Sequence, residues 1–322
     1  ERRSSLVGSE MCIRDRYVSH RNRFILVCIE VILMKFAIPL SILPSEELLP
    51  LTIEAEKAGF DAIAVSDHLI HPKNFSVPYP YTEDGKVRWE EGTDWPDPIN
   101  TLSFLAGATN SIKFYTSVYI LPARNPFRAA KEISTLSHLS KGRFSLGVGM
   151  GWMPEEFNVG EQDFKQRGKR ADEMLDVMQR LWSGEMHNYD GNFYSYEDLE
   201  MLPKPYGDIP ILIGGFSKIA LKRASNHNGW ISDMHSLAEL EEIISSLEQL
   251  RKDKPSFDEY EITAFSCWDA FSLEGFKKMQ DIGVTTITTY PWMLYGVMNE
   301  APVNEKIDAM HSFASDFFSE FK

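Results

Sequence analysis

The chain has 322 residues, of which 43% are hydrophobic and 25% charged, and its formal net charge at pH 7 is −14. This composition is ordinary for a soluble globular protein, and the acidic balance argues against nucleic acid or an anionic membrane surface as a partner. The three cysteines form no spaced cluster, which suggests neither a disulfide framework nor a metal site and makes the cytoplasm the expected location.

The first 33 residues differ from the rest of the chain. They carry six Lys or Arg against four Asp or Glu, and residues 5–16 resemble translated adaptor DNA. The apolar run at 24–33 is too short to span a bilayer and no small-residue cleavage site follows it. We therefore expect residues 1–33 to be a non-native or disordered extension, and residues 34–322 to form one domain that begins at Met34.

From Met34 onward, short apolar strands alternate with amphipathic helices. Strands are predicted at 35–40, 62–66, 114–121, 143–148, 209–213, 230–232, 260–266 and 285–290. Helices are predicted from Ser45, Asp97 and Asn125-Pro126, at 166–182, after Ser217, and at 236–250, 272–282 and 303–319. Eight such units favour a closed (β/α)8 TIM barrel, with a doubly wound parallel sheet as the alternative. Insertions are expected after strand two, at 69–96, and after strand four, at 184–208.

A glycine-rich segment follows the fourth predicted strand. Gly147, Gly149 and Gly151 occupy alternate positions and Trp152 comes next. The pattern differs from the Gly-x-Gly-x-x-Gly dinucleotide fingerprint, because no helix begins directly after it. It predicts either a tight turn or a loop whose backbone something approaches closely.

Other unusual residues also follow predicted strands. Asp67-His68 follows the second strand, Ser117-Val118 lies in the third, and residues 214–217 follow the fifth. Parallel barrels carry their active sites at the C-terminal ends of the strands. These segments are therefore expected to surround one mouth.

The Gly-Gly-Phe-Ser segment at 214–217 suggests an anion site. Two glycines allow the backbone to approach an anion, and Ser217 can cap the following helix, where free N–H groups attract phosphate. An ordinary strand-to-helix turn is the alternative. Together with the other glycines and long loops, the segment favours a phosphate-bearing cofactor.

Asp67 and His68 are the candidate catalytic residues. An imidazole suits proton transfer or a hydrogen bond to a cofactor ring. His68 and His71 could instead form half of a metal site, but Pro72 opposes a helix presenting both rings, no third ligand is evident, and we predict no metal. A structural histidine at the strand end is a further alternative.

Several motifs together resemble the bacterial luciferase-like superfamily, and more narrowly its branch of probable coenzyme F420-dependent oxidoreductases. They are Ser66-Asp67-His68, Tyr115–Val118, Pro122–Pro126, Leu139–Arg143, Gly147–Trp152 and Gly214–Ser217. The resemblance spans about 34–230. Each motif is weak alone, but their order and spacing together are specific.

The resemblance implies a (β/α)8 barrel that binds FMN or F420 at the strand ends and transfers a hydride to or from an organic substrate, or inserts oxygen using reduced flavin. Asp67 and His68 would lie beside the ring system. Ser117 and Val118 match a bulge where family members often have a non-prolyl cis peptide. Gly149, Gly151 and Trp152 would shape the channel, and Gly214, Gly215, Phe216 and Ser217 would hold the phosphate.

The branch favours F420, with FMN as the alternative cofactor, since both bring a phosphate to the same site. The predicted activity is hydride transfer between F420 and a small organic substrate. An FMN-dependent monooxygenase and a barrel that binds cofactor without turnover are the alternatives. A homodimer is possible, and the long loop at 71–96 departs from shorter members, so no substrate is transferred from them.

Overall fold

The computed structural model describes residues 33–254 and 260–321, and within these ranges the chain has eleven β-strands and nine α-helices. The strands are β1 (Lys35–Pro39), β2 (Ala62–Val65), β3 (Lys113–Thr116), β4 (Tyr119–Ile120), β5 (Phe144–Gly149), β6 (His187–Asp190), β7 (Ser195–Leu199), β8 (Ile211–Gly214), β9 (Gly229–Ile231), β10 (Glu261–Phe265) and β11 (Thr286–Thr288). The helices are α1 (Leu48–Ala58), α2 (Pro98–Gly107), α3 (Pro126–Leu139), α4 (Pro154–Val159), α5 (Arg167–Leu181), α6 (Lys218–Ala224), α7 (Leu237–Arg251), α8 (Leu273–Asp281) and α9 (Val303–Phe321).

Nine of the strands form one parallel sheet that closes on itself. Its order is β3-β2-β1-β11-β10-β9-β8-β5-β4, and a further pairing of β3 with β5 completes the ring. Since β3 and β4 are successive segments of one barrel strand, the barrel has eight strand positions. This confirms the predicted (β/α)8 barrel, and closure excludes the open doubly wound sheet.

The third barrel strand is not continuous. The prediction of one uninterrupted strand at 114–121 was therefore wrong. β3 ends at Thr116, β4 begins at Tyr119, and the Ser117–Val118 peptide bond between them is cis, as the resemblance implies. The Ser117 carbonyl accepts a hydrogen bond from the Ser66 hydroxyl at 2.8 Å, so it pairs with a side chain at the point where the ladder is interrupted.

The core has two layers. Small and medium side chains fill the barrel interior, and the Tyr115 hydroxyl bonds the Thr288 hydroxyl there at 2.6 Å. A larger apolar layer lies between the barrel and its helices. In that outer layer the Phe36 ring of β1 lies 5.4 Å from Phe313 and 5.5 Å from Phe318 of α9. Burial of rings of this size contributes much of the hydrophobic stabilisation.

Helix starts follow the local capping signals. Asp97 accepts a hydrogen bond from the Asn100 amide at 2.9 Å, and Asn125 accepts from the Phe127 and Arg128 amides. The first helix begins later than expected. Ser45–Glu47 forms a single 3-10 turn, and α1 starts at Leu48.

Both expected insertions are present. Residues 66–97 contain no regular helix or strand, whereas the polar segment at 184–208 forms an antiparallel hairpin of β6 and β7. The prediction for residues 1–33 falls almost entirely outside the described residues, which begin at residue 33. Met34 is buried in the outer core. Among the described helices, none combines the length and apolarity needed to cross a membrane.

Candidate active site

A cavity of about 1070 Å³ opens at the C-terminal ends of the barrel strands. Sites for small ligands typically measure roughly 300–1,000 Å³, so this cavity is as large as the largest of them. All eleven predicted site residues line it: Asp67, His68, Ser117, Val118, Gly149, Gly151, Trp152, Gly214, Gly215, Phe216 and Ser217. The structure therefore brings together segments separated by up to 150 positions in the chain.

Asp67 is held by a buried ion pair. Its two carboxylate oxygens accept hydrogen bonds from the Arg124 guanidinium at 2.6 and 2.8 Å, and one also accepts from the Ile120 amide at 2.8 Å. Burial raises the pKa of the Asp67 carboxyl, and the charge of Arg124 opposes that shift. With Arg124 on both oxygens and only 3% of the residue exposed, Asp67 fixes the backbone at the end of β4.

His68 is paired with an acid that sequence reasoning missed. Its Nδ1 lies 3.1 Å from Oε1 of Glu156, which is fully buried at the start of α4. The same oxygen accepts the Leu69 amide at 2.8 Å. Among the described residues, Nε2 of His68 has no hydrogen-bond partner. A carboxylate at Nδ1 fixes the ring and its tautomer, which leaves Nε2 available for proton exchange.

Three tryptophans surround the His68 ring. Ring centroids lie 4.7 Å from Trp89, 4.7 Å from Trp95 and 6.3 Å from Trp152. Trp89 and Trp95 belong to the first insertion, and Trp152 follows the glycine-rich strand β5. The imidazole therefore faces the cavity from an apolar, aromatic wall.

The glycines around the mouth of the barrel make room for side chains of the third barrel strand and its neighbours. An added Cβ at Gly149 would lie 2.4 Å from a Val118 methyl, and one at Gly214 would lie 2.8 Å from the other methyl. At Gly151 the added Cβ would meet Phe157 and Ile120. The close approach that the sequence predicted is thus made by the protein's own side chains, and Val118 fits between two backbone segments.

The 214–217 segment forms the opposite wall. Gly215 has φ +100°, a conformation that L side chains rarely adopt, and its carbonyl accepts the Trp230 indole N–H at 2.8 Å. Ser217 caps α6 by accepting the Ala220 amide at 3.2 Å, which leaves its hydroxyl proton free to donate. The Phe216 ring, 43% exposed, lies 5.8 Å from Tyr81 of the first insertion.

A cation beside this wall was also missed. Arg167, the first residue of α5, donates from Nε to the Gly151 carbonyl at 3.0 Å and from Nη1 to the Phe164 carbonyl at 2.9 Å. Its Nη2 has no partner in the described part of the chain, and no carboxylate pairs with it there. Burial lowers the pKa of this guanidinium, which nevertheless stays charged at neutral pH.

The two missed residues left different signals in the sequence. Arg167, Lys169 and Arg170 cluster in the first turn of α5, where the helix dipole disfavours cations, and this placement could have indicated an anion site. Glu156 carries no comparable signal, because it lies 88 positions from His68. The other histidine considered, His71, accepts the Trp89 indole N–H at 3.2 Å. Within the described ranges, no three His, Cys, Asp or Glu side chains are grouped as metal ligands.

The chain belongs to the luciferase-like monooxygenase family, whose model matches residues 37–268. It is therefore an enzyme of the luciferase-like oxidoreductase class. An uncharacterised protein of Mycobacterium tuberculosis is 31% identical over 83% of this chain and 93% of its own length. An F420-dependent glucose-6-phosphate dehydrogenase of Segniliparus rotundus is 31% identical over 60% of this chain and 55% of its own length.

Solved structures share the fold at lower identity. A monooxygenase from Streptomyces bottropensis superposes with a TM-score of 0.69 and 19% identity, covering 90% of this chain and all of that one. A coenzyme F420-dependent tetrahydromethanopterin reductase from Methanopyrus kandleri gives a TM-score of 0.68 and 17% identity, covering 90% of this chain and 99% of its own. At these identities, both comparisons show a shared fold.

Proposed function

We propose that this protein is an F420-dependent oxidoreductase that transfers a hydride between the cofactor and a small organic substrate. The observation that carries the proposal is the shared cavity. Among the described residues, His68 lies near Trp152 with Nε2 unbonded, and Arg167 lies beside Gly151 without an acidic partner, in the same cavity as the glycine segment at 214–217. A phosphate-bearing ring cofactor needs both features in one cavity.

The phosphate fits the wall formed by the 214–217 segment and Arg167. Gly215 and Ser217 offer backbone N–H groups and a hydroxyl, and Arg167 supplies a positive charge that lacks an acidic partner among the described residues. Charge-assisted hydrogen bonds from arginine suit phosphate oxygens. Arg223 lines the same cavity but pairs with Asp172, so its charge is already neutralised.

His68 moves the proton. Glu156 accepts from Nδ1–H and holds the ring, so Nε2 can take a proton from a substrate hydroxyl or return one to a carbonyl oxygen. Asp67 is a positioning residue that acts through Arg124 and Ile120. When bound, F420 supplies or accepts the hydride. The tryptophans around His68 exclude water from the reacting centre.

Support for F420 over FMN comes from the relatives. Two curated proteins that match this chain at about 30% identity are named F420-dependent glucose-6-phosphate dehydrogenases. A monooxygenase shares the barrel at 19% identity, and the oxygenating constituent of 3,6-diketocamphane monooxygenase from Pseudomonas putida, solved with FMN, shares it at 16% identity with a TM-score of 0.58, so FMN-dependent oxygen insertion is the second candidate. A barrel that binds cofactor without turnover is the third.

Anaerobic reoxidation of reduced F420 distinguishes these functions. The purified protein is incubated with reduced F420 and a panel of quinones, enones and aldehydes, and recovery of the oxidised cofactor's absorbance is followed. We expect recovery that depends on both protein and substrate. Binding of F420 with no recovery for any compound would support a carrier or sensor. Oxygen uptake with reduced FMN, and none with F420, would support the monooxygenase.

A further inference from the structure

The first insertion forms an aromatic surface over the mouth of the barrel. The Tyr79 ring lies 5.1 Å from Tyr81, 5.5 Å from Trp89 and 5.1 Å from Trp152. Tyr81 continues the contact to Phe216 on the opposite wall. These five rings, which we call the aromatic chamber, extend from beside His68 to the far side of the cavity.

An ion pair anchors the insertion across the mouth. Arg88 donates to Asp233, in the loop after β9, at 2.7 Å and to the Tyr81 carbonyl at 2.6 Å. Its guanidinium also lies 5.7 Å from the centre of the Tyr79 ring. The anchor therefore fixes the two tyrosines in the chamber, and it neutralises the only cation that the insertion contributes to the described cavity lining.

Among the described residues that line the cavity, no arginine or lysine is left for a second anion. Arg88 pairs with Asp233, Arg223 pairs with Asp172, and the proposed function assigns Arg167 to the cofactor phosphate. Burial raises the pKa of Tyr81 to about 12, with the charge of Asp233 adding to the shift, so its phenol stays neutral at neutral pH. A sugar phosphate would bring a dianion into this space without an unpaired cation among the described lining residues to meet it, since His68 is paired with Glu156, and this is costly.

We propose that the aromatic chamber selects a flat, uncharged, conjugated carbonyl compound, such as a quinone or an enone, as the substrate. This rests on the proposed function. Ring faces and edges recognise a flat π system by stacking and edge contacts. Bound reduced F420 would supply a hydride and so be oxidised by two electrons, and the hydride would form a C–H bond on the conjugated system. The proton on His68 Nε2 forms an O–H bond at the carbonyl oxygen, and solvent then reprotonates His68.

Calorimetric titration tests this choice with a readout that does not depend on turnover. Menadione and glucose 6-phosphate are each titrated into protein saturated with oxidised F420. We expect menadione to bind at least tenfold more tightly than glucose 6-phosphate. Tyr81→Ala and Tyr79→Leu are expected to weaken menadione binding at least tenfold and to leave the Kd for F420 within twofold.

Two variants serve as controls. Tyr81→Phe keeps the ring and is expected to bind menadione like the unmodified protein, which separates ring recognition from loss of folding. Tyr206→Ala removes a 58% exposed tyrosine outside the cavity and is expected to change neither Kd. Equal or tighter binding of glucose 6-phosphate, or unchanged menadione binding in both chamber variants, would overturn the proposal.

The same titration on cofactor-free protein separates this proposal from the proposed function. If F420 fails to bind, the cofactor assignment is wrong, and menadione binding to the free chamber still decides the substrate class. If F420 binds and menadione does not, the chamber proposal is wrong while the cofactor assignment stands.

Discussion

Asp67 and His68 are neighbours in the chain, but their side chains meet different surroundings. Asp67 points into a buried pair with Arg124, whereas His68 points into the cavity with Glu156 behind it. Adjacent residues at a strand end can therefore have different roles, one fixing the backbone and the other facing the cavity. The sequence indicated both residues as catalytic candidates, with His68 exchanging a proton and Asp67 fixing the local polarity, but it did not predict the pairing of Asp67 with Arg124.

His68→Ala tests the proton-transfer role. General acid–base catalysis contributes about 10²–10⁴ in rate, so we expect turnover to fall by about that factor while the Kd for F420 changes little. His138→Ala, at an exposed histidine on α3, is the matched control and is expected to match the unmodified enzyme. Equal turnover by His68→Ala with every active compound would remove His68 from the mechanism.

Glu156→Gln tests the positioning role behind His68. Loss of a hydrogen bond to a charged group costs about 1.5–3 kcal/mol, so we expect kcat to fall roughly 10- to 100-fold. KM and the Kd for F420 are expected to change little, because Glu156 touches neither ligand in this account. A lower Tm with unchanged kcat would show that Glu156 serves only the packing of α4.

Arg167→Gln tests the phosphate site. Removing one charge-assisted hydrogen bond is expected to weaken F420 binding by about 10- to 100-fold. Binding of the deazaflavin ring that lacks the phosphate tail is expected to stay the same, since that ligand has no anion at this wall. Lys169→Gln, two residues further along the helix and exposed, is the control. If both ligands weakened equally, Arg167 would act on the ring or on folding.

At the scale of single elements, one carboxylate connects α1 to the segment before β3. Glu56 accepts hydrogen bonds from the amides of Asn110, Ser111 and Ile112 and from the Ser111 hydroxyl. Burial raises the pKa of Glu56, but these hydrogen bonds outweigh it and lower the value from 4.5 to about 2. The folded state therefore favours the ionised carboxylate.

This shift predicts a pH dependence of stability. Because the folded pKa lies below the unfolded one, the contribution is complete above pH 4.5 and is lost as the pH falls towards about 2. Glu56→Gln is expected to lower the free energy of unfolding at pH 7 by about 2 kcal/mol and to flatten its decline below pH 4.5. Urea unfolding at several pH values measures both, with exposed Glu241→Gln as control. Parallel curves for Glu56→Gln and the unmodified protein would contradict this role.

Elements defined by local signals were predictable, and those defined by distant contacts were not. The caps at Asp97 and Asn125 act on amides two or three residues away, so their helices began where expected. The break in the third barrel strand depends on Ser66 and on the space beside Gly149 and Gly214. These are distant contacts, which a local sequence pattern does not indicate. The β6–β7 hairpin packs Tyr189 and Tyr196 against the core and exposes mostly polar side chains on its other face, whereas its sequence indicated only a polar excursion.

At the scale of the whole molecule, the chain is acidic, and the proposed function assigns a phosphate to the mouth of the barrel. The net charge of −14 repels anions in general, so a phosphate must be held by nearby groups. The barrel provides these groups because all of its parallel strands end at one mouth. The order of the motifs predicted this convergence, whereas the contribution of Arg167 and the aromatic chamber required the three-dimensional arrangement.

The cofactor assignment is tested most directly by an equilibrium titration of the purified protein with F420 and, separately, with FMN. We expect saturable binding of F420 at one site per chain, at least tenfold tighter than binding of FMN. Tighter binding of FMN, or no saturable binding of F420, would contradict the assignment.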